Sequence, residues 1–174
     1  NKAHINEVLM GKASVKHLLQ IENLSKKFPI TNTNSLFRKE KVKAVENVSF
    51  NIQEGKTVGL VGESGSGKTT IGRMIIRLLQ PDNGRILFEG VDLVSLNRTE
   101  FRAMQPRIQM VFQDPYSTLN PRLTLKQIIQ EPMKLNANLI NEDFDERTHR
   151  LMNDVGLNEN QLDRFAHEFS GGQR

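Results

Sequence analysis

The N-terminal part of the chain carries hydrophobic and polar residues in patterns typical of strands. Val48, Phe50 and Ile52 alternate with polar residues, which predicts a half-buried strand. Residues 57–61 form a short apolar run of the kind found in buried parallel strands. Strands are therefore predicted at residues 17–28, 48–52, 57–61, 85–89 and 107–112, with a polar loop over residues 29–41.

The last part of the chain shows helical spacing instead. Thr124 and Gln127 fit a capping box before an apolar stripe, and Pro132 should kink that helix. A further helix is predicted between Asn141, which would cap it, and Gly156, which would end it. We therefore expect two parts, an α/β part at residues 1–116 and a helical subdomain at residues 117–174.

Composition narrows the possible chemistry. The chain has 174 residues, no cysteine and a net charge of +4. Disulfides and thiolate sites are excluded, the four histidines lack metal-ligand spacing, and no apolar run reaches the roughly 18–20 residues of a membrane span. Residues 141–174 carry eight acidic residues against four arginines, so basic residues outnumber acidic ones in residues 1–140. Those bases are spread out and not interleaved with aromatic residues, which favours a solvated or phosphate-facing surface over a nucleic-acid groove.

Residues 62–69 match the pattern G-x-x-x-x-G-K-[ST] in full. The match follows the predicted strand at 57–61 and precedes a helix whose apolar positions recur from Ile71 to Leu79, before the segment 81–84 (PDNG) should stop it. A glycine loop in this place can turn its backbone N–H groups into one concavity, and the helix adds the positive end of its dipole. An ordinary glycine turn would lack this flanking context.

The motif therefore predicts a polyphosphate site. Lys68 would reach the β- and γ-phosphates, and the Thr69 hydroxyl would hold Mg²⁺. The predicted ATP-binding residues of the loop and the first helical turn are Gly62, Glu63, Ser64, Gly65, Ser66, Gly67, Lys68, Thr69 and Thr70.

Two further segments make the chain resemble the ATP-binding subunits of ABC transporters. Gln113 stands in the stretch MVFQDPYSTLNPR, where that family has its Q-loop, and residues 169–173 (FSGGQ) match its LSGGQ signature, with Phe169 in place of the usual leucine. Within the family, the chain looks most like the importers of oligopeptides, dipeptides and nickel. This similarity lies in the segment VFQDPYSTLNPR, in the segment HEFSGGQR and in the insertion after Phe28.

The resemblance implies roles for residues outside the loop. Phe28 would stack on adenine, although a lone phenylalanine at a strand end is usually a core residue. Gln113 would contact Mg²⁺ and the attacking water, which makes Gln113 and Lys68 the expected catalytic residues and Thr69 and Gln113 the expected metal residues. The signature residues would contact the γ-phosphate held by a partner subunit, whereas a bare SGG is more often a flexible turn. These signature residues are Ser170, Gly171, Gly172 and Gln173.

The family also implies the architecture and the partners. We expect a P-loop NTPase core of the α/β class with an N-terminal antiparallel β portion and a helical subdomain, together an incomplete ABC ATPase domain. Expected ligands are ATP and Mg²⁺. Expected partners are a second ABC ATPase subunit (identical or different), transmembrane permease subunits and, indirectly, a peptide-binding protein, but no nucleic acid. The subunit would lie peripherally on the cytoplasmic face of the plasma (inner) membrane.

Other functions stay open from the residues alone. The chain could serve a nickel or other solute importer, a non-transport ABC ATPase acting on nucleic acid, or a module that binds without chemistry. The Walker B strand with its catalytic Glu, the D-loop and the switch histidine are expected downstream of Arg174, because no four apolar residues followed by Asp-Glu occur in residues 1–174. These residues, either truncated or completed by another chain, are therefore expected to bind ATP without hydrolysing it.

Overall fold

The computed structural model describes residues 17–29, 41–114 and 118–173. The chain divides into two compact units, Asn1–Met110 and Val111–Arg174, and each is described by itself. The division of the chain between residues 116 and 117 stays a prediction, because residues 115–117 lie outside the described part. Most of the predicted loop at 29–41 lies outside it as well.

An antiparallel sheet forms the first unit. Its strands stand in the order β2-β1-β3-β4. The β1 strand pairs with β2 on one side and with β3 on the other. Three of the predicted strands and the N-terminal antiparallel portion are therefore confirmed. The strand bounds are β1 His17–Pro29, β2 Lys41–Gln53, β3 Asn83–Phe88 and β4 Val91–Asp92.

The core of this unit lies on one face of the sheet. Ile21 of β1 stands between Phe50 of β2 and Ile86 of β3 in the register. Helix α1 (Lys68–Ile75) adds Ile71 and Met74 to the same cluster. Burying each such side chain stabilises the fold by about 1.5–3 kcal/mol. The buried cluster comprises Leu19, Ile21, Leu24, Val45, Ile71, Met74, Ile86, Phe88, Leu93 and Phe101.

Helix α1 is shorter than its apolar pattern predicts. It ends at Ile75, because Arg77 adopts a left-handed backbone conformation with φ of 55°. The Arg77 guanidinium donates to the Leu96 carbonyl at 3.0 Å and lies 4.5 Å from the centre of the Phe101 ring. These contacts hold the reversal in place, so the chain turns before it reaches the predicted stop at residues 81–84.

Helix α2 (Arg98–Met104) was not predicted from the sequence. Asn97 caps it, because its side chain accepts hydrogen bonds from the Thr99 and Glu100 N–H groups. The Glu100 side chain in turn accepts a hydrogen bond from the Asn97 N–H. Asn followed by Glu three residues later is the signal that could have found it. The helix contributes the buried Phe101 to the core.

Two predicted strands, 57–61 and 107–112, do not form. Val61 is 94% exposed and Val111 is 97% exposed. The prediction was wrong because an apolar run becomes a strand only where another strand shares its hydrogen bonds. Among the described residues no strand pairs with either run, and Arg107 belongs instead to a 3₁₀ turn at Gln105–Arg107.

Two α-helices dominate the second unit. Helix α3 (Leu125–Leu135) starts with the predicted capping box, in which the Thr124 N–H donates to Gln127 Oε1 at 2.9 Å and the Gln127 N–H to Thr124 Oγ1 at 3.3 Å. Pro132 lies inside it, and the kink expected there stays a prediction. Helix α4 spans Phe144–Asp154. A short 3₁₀ helix at Ala137–Leu139 lies between α3 and α4, and two more follow α4 at Glu159–Gln161 and Ala166–Glu168.

The sequence predicted the C-terminal end of α4 correctly but not its N-terminal cap. Asp143, and not the predicted Asn141, caps its start by accepting from the Asp145 and Glu146 N–H groups at 2.8 and 3.1 Å. A carboxylate next to the positive end of the helix dipole is favoured over a neutral amide. Gly156 follows the last turn with φ of 69°, which confirms its predicted place.

A polar junction joins α3 to α4. The buried Gln130 side chain donates to Asp145 Oδ1 at 2.6 Å, and Lys126 Nζ lies 2.8 Å from the same oxygen. The buried Thr148 hydroxyl donates to the Phe144 carbonyl at 2.6 Å. The hydrogen bond from Lys126, and to a lesser extent that from Gln130, holds the pKa of Asp145 below its ordinary value.

None of the helices in the described part of the chain has both the length and the apolar character needed to span a bilayer.

Candidate functional site

The glycine loop at 62–69 connects the sheet to helix α1. The Ser66 N–H donates to the Glu63 carbonyl at 3.2 Å, which closes a tight turn inside the loop. Gly67 has φ of 93°, and a Cβ atom there would stand 2.3 Å from the Ala44 carbonyl oxygen of β2. A Cβ at Gly62 would stand 2.6 Å from Ser66 Oγ. The loop therefore folds closely on itself and against β2, and only glycine fits at Gly67.

Lys68 holds its ammonium group against this loop. Its Nζ donates to the Gly62 carbonyl at 2.8 Å, to the Glu63 carbonyl at 2.6 Å and to Ser66 Oγ at 3.1 Å. The positive charge therefore lies against residues 62–66 and does not point into open solvent. The structure thus brings together four of the predicted site residues: Gly62, Glu63, Ser66 and Lys68.

Helix α1 begins inside the same motif. Gly67 occupies its cap position, so no side chain satisfies the first N–H groups, and no acidic residue lies in the first turn. The positive end of the helix dipole is therefore not countered within the helix. Thr69 is exposed and Thr70 is half-buried in that turn. Glycine turns, a lysine ammonium and uncapped helical N–H groups form a set of donors suited to anionic oxygens.

Phe28 lies near the end of β1 in the same unit. It pairs across the ladder with Val42 of β2, and the two side chains are 38% and 53% exposed. The Lys26 ammonium lies 6.0 Å from the centre of the Phe28 ring. Phe28 does not belong to the buried core, so an aromatic surface is offered to solvent at this strand end.

The other predicted site residues belong to the second unit. Gln113 is exposed in a bend that follows residues 108–112. Ser170 and Gln173 form a small closed turn, because the Ser170 N–H and hydroxyl donate to Gln173 Oε1 at 3.0 and 3.1 Å and the Gln173 N–H donates to the Ser170 carbonyl at 3.1 Å. Phe169 is buried, so the larger side chain in place of leucine packs into the interior. The functional roles of these residues stay predictions.

Comparison with known proteins gives the family. The ABC transporter family model matches residues 45–174, which includes the glycine loop, Gln113 and the signature segment. The chain belongs to the ABC transporter family. The family inferred from the motifs is thereby confirmed.

Relatives of this ABC transporter chain include named transport proteins. It is 44% identical over 168 residues to the oligopeptide transport ATP-binding protein AppF of Bacillus subtilis, covering 95% of this chain and 50% of that protein. It is 46% identical over 157 residues to the probable peptide ABC transporter ATP-binding protein y4tS of Sinorhizobium fredii, covering 90% of this chain and 44% of that protein. The chain thus spans about half the length of these relatives.

A solved structure shares the fold of this ABC transporter chain. The ATP-binding cassette MJ0796, solved as a dimer in a post-hydrolysis state bound to ADP and Pi, matches with a TM-score of 0.72 and 26% identity. The match covers 89% of this chain and 64% of that one. The predicted P-loop α/β fold is confirmed by this likeness.

Sequence reasoning missed one side chain beside the site. The segment 81–84 was interpreted only as a helix stop, but Asp82 bonds to Lys26 and Lys27, the two residues before Phe28. An acid inside a turn has no sequence signal for such a distant partner. Only the antiparallel pairing of β1 with β3 brings it there.

Proposed function

We propose that the protein is the ATP-binding subunit of an ABC importer and couples ATP binding and hydrolysis to the uptake of oligopeptides or dipeptides. The single observation that carries ATP binding is the folded glycine loop with the Lys68 ammonium bonded across it. The choice of peptides rests on the similarity to AppF and y4tS, whose names describe oligopeptide and peptide transport.

The residues present fit a magnesium nucleotide. The first N–H groups of helix α1 have no side-chain cap and no acidic residue in their turn, and Lys68 adds a positive charge there, so donors suited to phosphate oxygens are present. The loop N–H groups and Lys68 would bind the phosphates, Thr69 and Gln113 would hold Mg²⁺, and Phe28 would stack on adenine. ATP with Mg²⁺ supplies the phosphoryl group whose binding and transfer to water drives the cycle.

The remaining roles belong to the assembled transporter. Gln113 would orient the attacking water, and the signature segment from Ser170 to Gln173 would bind the γ-phosphate held by a second ATPase subunit. Dimer formation would shift a permease between inward-facing and outward-facing states through differential affinity. Permease subunits would hold this chain on the cytoplasmic face of the membrane, and a peptide-binding protein would act through them.

The test is nucleotide binding by Lys68→Ala in the full-length protein. Loss of charge-assisted bonds to two or more phosphate oxygens should weaken MgATP binding by about 100-fold or more, measured by titration calorimetry. Lys56→Ala, which removes an exposed lysine before the loop, is the control and should bind normally. Unchanged affinity in Lys68→Ala would contradict the assignment. Loss of growth on di- and oligopeptides in a Lys68→Ala strain would test the importer role.

A further inference from the structure

The strand end that carries Phe28 is held by a side chain from another part of the first unit. Asp82 Oδ2 accepts a hydrogen bond from the Lys27 backbone N–H at 2.7 Å, and Asp82 Oδ1 lies 2.9 Å from Lys26 Nζ. The Asp82 N–H donates to the Ser25 carbonyl at 2.9 Å. One residue therefore fixes three consecutive positions of β1, and these end directly before Phe28.

The bonds from Asp82 to residues 25–27, which we call the Asp82 clamp, lie where the pairing between β1 and β3 ends. Ser25 opposite Asn83 is the last pair between β1 and β3. Beyond Ser25 the Lys27 N–H bonds to the Asp82 carboxylate, which here takes the place of a strand neighbour. The charge of Lys26 strengthens the attachment, because a charge-assisted bond is about twice as strong as a neutral one.

The ladder between β1 and β2 does not define this strand end by itself. Its register shifts between Leu24 and Lys26 and again between Lys26 and Lys27. Asn23 has φ of 50°, so the strand is also distorted before the shifts. A strand with such bulges bends and can re-aim the side chains that follow. The direction of Phe28 therefore depends on whatever fixes the bulged segment.

The turn that carries Asp82 is itself fixed against β1. Gly84 has φ of 99°, and a Cβ atom there would stand 2.5 Å from the Glu22 carbonyl oxygen and 2.6 Å from the Leu24 Cα. The close approach sets the distance from which Asp82 reaches the strand. The same bonds lower the pKa of Asp82, chiefly the one from Lys26 and then the one from Lys27, so the carboxylate is charged at neutral pH.

We propose that Asp82 is a positioning residue for nucleotide recognition: by clamping Lys26 and Lys27 it aims the Phe28 ring at the adenine base. This inference rests on the proposed function, since it takes ATP as the ligand and Phe28 as its stacking partner. It assigns to Asp82 an effect on the base and none on the phosphates, which the glycine loop binds.

The test compares ATP with inorganic triphosphate, which lacks the base. Asp82→Ala in the full-length protein should raise the dissociation constant for ATP about three- to tenfold, a part of what base stacking on an aromatic ring is worth. The constant for triphosphate should change less than about twofold. Asp82→Asn keeps an acceptor for the Lys27 N–H and should fall between, so it also serves if Asp82→Ala does not fold.

Asp92→Ala is the matched control. Asp92 likewise accepts from a backbone N–H, that of Val94 at 3.1 Å, and bonds to a cation, Arg85, at 3.2 Å, but it lies on the edge strand β4, which β3 separates from β1. Its removal should leave the ratio of the two dissociation constants unchanged. In a Phe28→Ala background, Asp82→Ala should add less than about a twofold change to ATP binding, because its target is gone.

The outcomes separate this inference from the proposed function. Equal losses for ATP and triphosphate, no loss for ATP, or an undiminished effect without Phe28 would overturn the role of Asp82 while leaving the phosphate loop standing. If the unsubstituted protein binds neither ATP nor triphosphate, the proposed function fails, and the role of Asp82 fails with it.

Discussion

The close contact between Gly67 and β2 makes a quantitative prediction for Gly67→Ala. The added Cβ atom would stand 2.3 Å from the Ala44 carbonyl oxygen and 3.1 Å from Val45 Cγ2, far inside normal contact with the oxygen. The obstacle is backbone in a paired strand, so it cannot move aside as a flexible side chain could. The backbone φ of 93° is also one that an L side chain rarely adopts.

Three effects set the size of the loss. The left-handed conformation costs alanine about 1–2 kcal/mol, and forcing extra volume into a packed site costs about 1–3 kcal/mol. Replacing glycine also restricts the unfolded chain, which returns about 0.4–1 kcal/mol. The net destabilisation should therefore be about 3 kcal/mol.

Urea denaturation followed by circular dichroism measures this loss, and Gly65→Ala is its matched control. Gly65 lies in the same loop with a similar φ of 82°, but a Cβ atom there would meet nothing within 4 Å. That variant should lose only about 1 kcal/mol, the conformational part less the gain in the unfolded state. Equal destabilisation in the two variants would refute the collision as the cause. Nucleotide affinity should fall more in Gly67→Ala, because the shifted loop misplaces Lys68.

Two other predictions follow from the exposed ring and from the polar junction. Phe28→Ala should weaken ATP binding by about 1–3 kcal/mol and leave inorganic triphosphate binding unchanged in calorimetry, whereas equal losses would exclude stacking. Hydrogen bonds from Lys126 and then Gln130 hold the pKa of Asp145 below its ordinary value of 3.8. The stability that Asp145 contributes is therefore present above pH 3.8 and lost as the pH falls below it. The urea midpoints of the unsubstituted protein and of Asp145→Asn should therefore converge as the pH is lowered below 3.8, and a constant difference would contradict this.

Elements that depend on residues close together in the sequence were mostly predicted. The alternation at Val48, Phe50 and Ile52 falls in β2, and the Thr124–Gln127 box starts α3, because both patterns concern residues close in sequence. The glycine-lysine pattern likewise predicted the loop before α1. Such features depend on the backbone and on neighbours within a few residues, so one sequence is enough to find them.

Features that depend on distant partners could not be predicted. The apolar run at 57–61 carries the composition of a strand, but forming one requires a neighbouring strand. The end of α1 depends on Arg77 reaching Phe101, and the Phe28 strand end depends on Asp82. Neither contact can be recognised from the residues adjacent to it in the sequence. For the candidate site, the sequence therefore predicted the chemical groups but not what holds them.

The bonds that Lys68 makes within its own loop decide which molecules can recruit it. Its three acceptors are two peptide oxygens and a hydroxyl, all electrically neutral. A nucleoside or a sugar offers more neutral oxygens, and exchanging like for like gains nothing. A phosphate oxygen bears formal negative charge, so its bond to the ammonium group adds the attraction between two opposite charges. In a nucleotide site Lys68 would therefore favour phosphorylated ligands over unphosphorylated ones of similar shape, and this preference would need no steric barrier.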